Sequence, residues 1–97
     1  MKFQWDPSKS ASNISKHVVS FDEAMTVFKD PLALIFDDTI HSENEFREII
    51  IGMSALRRTF LVCFVERQED VVRIISARPA TKQEIKDYEE FTRLQKQ

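Results

Sequence analysis

Glycine is almost missing from this chain: Gly52 is the only one in 97 residues. That excludes a glycine-rich phosphate loop, and it argues against a flexible hinge between domains, since both depend on residues without a Cβ. No Gly-x-Ser-x-Gly turn exists either, so serine hydrolase chemistry of that type is excluded. Cysteine is equally scarce. Cys63 stands alone inside an apolar run, which removes any intrachain disulfide and fits a buried core thiol in a reducing compartment. Two His and one Cys, far apart in the chain, give no metal-ligand spacing, and neither a metal nor an organic cofactor is expected. No apolar run is long enough to span a bilayer, and Met1 to Pro7 holds no signal-peptide core, so the expected compartment is the cytoplasm with no membrane partner. Positive charge is not in excess: 14 Lys and Arg against 16 Asp and Glu leave a formal net charge of −2. A broad basic footprint for nucleic acid is therefore absent, although a local phosphate site needs only a few cations.

What is present suits one small globular unit, expected as a single domain over residues 1–97. Hydrophobic residues make up 42% of the chain, eight of them Phe, and charged residues 31%, enough for one core under a solvated exterior. Phe3 to Trp5 reads as a short extended segment. Asp6-Pro7 then opens a helix expected from Pro7 to about Lys16, with a capping side chain followed by proline at the first helical position. Ser20 to Glu23 has the spacing of a capping box, and Phe21, Ala24, Met25 and Phe28 form one apolar face of a second helix that Pro31 ends. From Leu32 the period becomes two. Strands are expected at Leu32 to Phe36, Phe46 to Met53, Thr59 to Arg67 and Val71 to Arg78, joined by loops short enough for an antiparallel meander. The third is apolar on both faces and belongs in the middle of the sheet. Thr81 to Glu84 forms another capping box, opening a terminal helix to about Thr92, with Leu94 to Gln97 frayed. The expected fold is α+β: two N-terminal helices, a four-stranded antiparallel meander and a C-terminal helix.

Candidate chemistry concentrates near the last strand. Alternation along Val71 to Arg78 puts Arg73 and Arg78 on opposite faces of a regular strand, with Arg78 free to swing at the strand end beside Pro79. A guanidinium in an apolar strand needs a carboxylate, a phosphate or water. Arg73 paired with Glu66 or Glu48 is the structural alternative to a phosphate site. Glu66 and Arg67 close the preceding strand, and the register decides which of them faces Arg73. Glu66 suits a general base or a strand-end ion pair. Lys16 and His17 end the first helix, where a cation complements the macrodipole and where an imidazole could also protonate a leaving oxygen. His41 reads as an exposed residue of a polar, acidic loop, and the Phe residues read as core.

The residues also resemble a known family. Phe3-Gln4-Trp5-Asp6-Pro7-Ser8-Lys9, Asn13 to His17 and Val18 to Ala24 are similar to the opening of the BrnT toxins, and Val27-Phe28, Asp30-Pro31, His41-Ser42-Glu43, Arg47, Ile51-Gly52, Glu66-Arg67, Arg73 to Arg78 and Tyr88-Glu89 continue the pattern in order. The resemblance implies a RelE-like fold, a metal-independent endoribonuclease that cuts RNA by 2′-hydroxyl attack and so inhibits translation, and a cognate antitoxin of the ribbon-helix-helix type that neutralises it. DNA would be met only through that antitoxin. Carried onto matching positions, it makes His17 and Glu66 candidates for proton transfer, Arg73 and Arg78 for phosphate stabilisation, and Lys16 and Arg67 for substrate binding. A non-catalytic domain that acts through a partner protein is the alternative. One departure stands out: the family's glycine after the histidine is Val18 here, so a left-handed turn at that point would be strained.

Overall fold

The computed structural model describes residues 1–42 and 44–95. Asp6 caps the first helix as expected, its carboxylate accepting from the Ser8 amide at 2.8 Å, and α1 runs Pro7–His17. It ends at Val18, which takes the left-handed conformation (φ 57°, ψ 38°) while its N–H returns to the Ile14 carbonyl. Ser20 caps α2, Phe21–Ala24, by accepting from the Glu23 amide at 3.1 Å. The reciprocal half of that capping box does not form. The Glu23 carboxylate instead accepts from Ser54 Oγ and from the Arg58 guanidinium, tying the second helix to the turn before the central strand. Beyond Ala24 the chain tightens into a 3₁₀ turn, Met25–Lys29, where one continuous helix was expected.

The sheet has five strands, not four. After β1 (Lys2–Gln4) come β2 (Leu34–Asp37), β3 (Glu48–Met53), β4 (Thr59–Arg67) and β5 (Val71–Pro79), in the spatial order β1-β5-β4-β3-β2. The last four form the expected antiparallel meander, and β1 adds to its edge in parallel, Phe3 opposite Val72. The segment read as extended at Phe3 to Trp5 is this strand, displaced by one residue, and its place in the sheet was not expected because its partner lies some 70 positions away. Leu32 falls outside β2, and the Phe46-Arg47 stretch outside β3, so both strands begin two residues later than expected. The terminal helix α3, Lys82–Gln95, opens on a complete capping box, with the Glu84 amide to Thr81 Oγ1 at 3.1 Å and the Thr81 amide to Glu84 Oε1 at 2.8 Å. The helix continues through Leu94 and Gln95, where fraying was expected, and the rest of that expectation, Lys96 and Gln97, lies outside the described residues.

One face of the sheet carries the core. Phe60, Val62 and Phe64 of β4 and Val72, Ile74 and Ala77 of β5 pack with Val19, Phe21, Ala24 and Val27 from the helical layer, and Trp5 and Phe28 pack against this cluster from its margin. Gly52 lies where that layer crosses β3. A Cβ built on it would fall 2.9 Å from Ala33 Cβ and 3.0 Å from Val27 Cγ1. Asn13, 5% exposed, fixes α1 against the free edge of β5, donating to the Val19 and Ala77 carbonyls and accepting from the Ala77 amide. No helix among the described residues is long and apolar enough to cross a membrane.

Candidate functional site

The second face of the sheet is only partly covered, and one irregularity decides what it carries. Cys63 pairs with Ser76 while Phe64 pairs with Ile74, so Ile75 is an extra residue with no partner on β4. A bulge of this kind reverses the alternation beyond it. Val72, Ile74 and Ala77 all reach the core as a result, although regular alternation would set Ala77 apart from the other two. The same shift brings Arg73, opposite Val65, and Arg78, opposite Leu61, to one face, with Ser76 between them opposite Cys63. The expectation of opposite faces is thus corrected. Alternation in the sequence does not reveal a bulge, because the inserted Ile75 is itself apolar.

Register also separates Glu66 from Arg67. Arg67 faces Val71 and stands on the arginine side, whereas Glu66 faces Val72 and stands on the helix-bearing side. Glu66 there neighbours Glu48, whose carboxyl is pushed above its ordinary range by burial and by the charges of Glu66 and Asp37. Glu66 is therefore on the wrong side of the sheet to serve Arg73 or Arg78, and neither Glu66 nor Glu48 is the ion-pair partner considered for Arg73. Among the described residues Arg73 makes no ion pair. Arg67 reaches Glu45 at 3.5 Å. Arg78 is gripped by Glu84 in a two-point pair of 2.8 and 2.9 Å, which with the Thr81 amide outweighs the opposing effect of burial and pulls the Glu84 carboxyl down to about 2. That pair and one bond to the Pro79 carbonyl occupy three of the five guanidinium N–H donors, leaving two for a ligand.

Two concavities meet at Ser76. One, of about 410 Å³, runs over the open face between Phe36, Ile49, Leu61, Ser76 and Arg78, walled by Asp38, His41 and Arg47 of the loop between β2 and β3 and by Glu84 of α3. The other, of about 180 Å³, lies between α1 and the edge of β5, lined by Lys9, Ser12, Lys16, His17, Ile75 and Ser76. Lys16 and His17 therefore adjoin, through Ser76, the groove that Arg78 lines, while Arg73 and Arg67 stand further along the same sheet face without lining either concavity, and Glu66 stands on the other face.

The loop wall holds a group that sequence reasoning passed over. Asp38 folds back over Cys63, its side chain 8% exposed, with its amide on the Arg47 carbonyl and its Oδ2 accepting from Cys63 Sγ at 3.7 Å. Burial, then the Asp38 charge, push the Cys63 thiol up to about 11, so it stays protonated and inert as expected of a core cysteine. Both Asp38 oxygens also face His41 Nδ1, at 3.0 and 3.2 Å. His41 is an exposed loop residue, as expected, but its ring is held by a buried carboxylate. Arg47, in the same wall, has a buried Nε without a hydrogen-bond partner among the described residues. Glu43, between these residues, lies outside the described residues, and so does its part of the family motif. No three His, Cys, Asp or Glu side chains converge as a metal cage among the described residues.

A helix-backed mixed sheet with a cation-lined open face places the chain among small α+β domains that carry their site on the sheet rather than in an interior cavity. The family model described as the ribonuclease toxin BrnT of a type II toxin–antitoxin system matches residues 5–84, and the chain belongs to that family. The crystal structure of the Brucella abortus ribonuclease toxin BrnT is similar to it, at a TM-score of 0.65 and 25% identity, covering 84% of this chain and 99% of that one. No curated protein matches the chain.

Proposed function

We propose that residues 1–97 act as one toxin domain, with the fold the family resemblance implies, and that the open face binds single-stranded RNA and cleaves it by attack of a ribose 2′-hydroxyl on the adjacent phosphate, without a metal. The observation that carries this reading is the bulge at Ile75, which sets Arg73, Ser76 and Arg78 on one accessible face continuous with His17. In-line attack builds charge on the non-bridging phosphate oxygens, and the guanidinium groups of Arg73 and Arg78 offer fixed positive charge to meet it. His17 is suited to protonate the departing 5′-oxygen, while Lys16 and Arg67 flank the path and hold neighbouring phosphates. Glu66, on the far side of the sheet, receives no step. A cognate antitoxin, of the ribbon-helix-helix class that the resemblance implies, would silence the chain in the cytoplasm by covering this face, and any DNA contact would belong to the antitoxin.

Purified chain should cut RNA to 2′,3′-cyclic phosphate ends. Arg73→Ala and Arg78→Ala should each lower the rate by roughly 10²-fold, the scale of losing one pre-placed charge-stabilising donor, with unchanged melting for Arg73→Ala. An Arg73→Ala chain that cleaves at the wild-type rate would remove Arg73 from the site. One observation favours a non-catalytic, partner-binding domain instead: the Glu84 carboxylate already neutralises Arg78. Under that reading the wild-type chain binds its antitoxin but leaves RNA intact.

A further inference from the structure

With Glu66 on the opposite face, the open groove lacks the base expected to activate the 2′-hydroxyl. We propose that His41 supplies it, with Asp38 as its positioning residue, an inference that rests on the ribonuclease reading. Three observations converge. Asp38 is buried and anchored from several sides: its amide donates to the Arg47 carbonyl at 2.9 Å, its own carbonyl accepts from Ser42 Oγ at 2.6 Å, and Ser42 Oγ accepts from the Arg47 amide at 3.0 Å. A carboxylate fixed in this way is a rigid acceptor. The bonds from Nδ1 to both its oxygens mean that a neutral His41 ring carries its proton on Nδ1 and presents a bare, basic Nε2. Finally, the imidazole is 64% exposed at the mouth of the groove that Arg47, Ser76 and Arg78 also line, so a polynucleotide can reach it.

The step balances without any further reactant. His41 Nε2 takes the 2′-hydroxyl proton as the 2′-oxygen bonds to phosphorus; the bond from phosphorus to the 5′-oxygen breaks, and that oxygen takes a proton from the His17 imidazolium. The products are a 2′,3′-cyclic phosphate and a 5′-hydroxyl, with His41 left protonated and His17 neutral until solvent exchanges the proton between them. A loop brace of purely structural purpose would have no use for an exposed imidazole lining the groove.

The test compares two short single-stranded RNAs, one natural and one with sulfur in place of the bridging 5′-oxygen at the cleaved bond. A thiolate leaves without protonation, so the sulfur substrate relieves the need for an acid but not for a base. The wild-type chain should cut both. His41→Gln should lose at least 10²-fold on both RNAs, whereas His17→Gln should lose on the natural RNA and recover on the sulfur one. In nitrogen-15 spectra, His41 should show the Nδ1-protonated tautomer in the wild type and lose it in Asp38→Asn, a signature that a merely structural contact would not couple to the cleavage rate. A folded His41→Gln chain that cuts the natural RNA within a few-fold of wild type, or that recovers on the sulfur substrate, would overturn the assignment. Failure of the wild-type chain to cut either RNA would instead overturn the ribonuclease reading itself.

Discussion

Val18 carries the backbone conformation that a β-branched residue tolerates least. Its φ of 57° crowds Cβ against the following carbonyl, at about 1–2 kcal/mol, and its side chain, 73% exposed, recovers nothing by packing. The turn is retained because the Val18 N–H closes α1 on the Ile14 carbonyl while Val19 drops fully buried into the core. Val18→Gly should therefore stabilise the chain by about 1 kcal/mol, the relieved strain less the greater freedom of glycine when unfolded. Thermal melting checks this, and a variant melting no higher than wild type would show that the turn is not strained. This position was legible in advance through the family resemblance, whose pattern has glycine where Val18 stands. His41 was not legible. A histidine in a polar loop carries no local sign of its partner, and burial of Asp38 against Cys63, 25 positions away, is a product of the fold.

Elements were readable where their determinants are local. The Thr81 to Glu84 box forms both of its bonds because nothing competes for Glu84 except Arg78, which it accommodates on the same carboxylate. The Ser20 to Glu23 box keeps only its serine half, because Arg58 and Ser54, more than 30 positions on, claim the glutamate. Strand limits held for β4, which is apolar on both faces from Phe60 to Val65, and slipped by two residues at the starts of β2 and β3. Gly52 also acquires its meaning at this scale. Gly52→Ala should lower stability by about 1–3 kcal/mol, since Ala33 Cβ and Val27 Cγ1 both sit close to the backbone and yield little. A denaturant titration measures the loss, and an unchanged midpoint would mean that the helical layer slides freely over β3.

Across the whole molecule, charge is sorted by location rather than by total. Among the strand residues Arg67, Arg73 and Arg78 share one face and Asp37, Glu48 and Glu66 the other, so a net charge of −2 conceals a row of arginines, two of which hold Glu45 and Glu84 from the flanking loop and helix. Binding of single-stranded RNA through three such cations should weaken with salt at a slope of about −2 in log K against log concentration; a slope near zero would take phosphates off this face. Acid should loosen the hold of α3 on the sheet. Glu84 has its folded pKa depressed to about 2 from an ordinary 4.5, so its contribution is complete above the ordinary value and is lost as pH falls through that interval. Glu84→Gln should accordingly show a smaller drop in melting temperature between pH 5 and pH 2 than the wild type. The unpaired isoleucine in β5 has a genetic corollary. Losing that one codon in frame would leave Arg73 and Arg78 four positions apart, so an unbulged strand would still turn both toward the groove, and the deletion should spare the toxin.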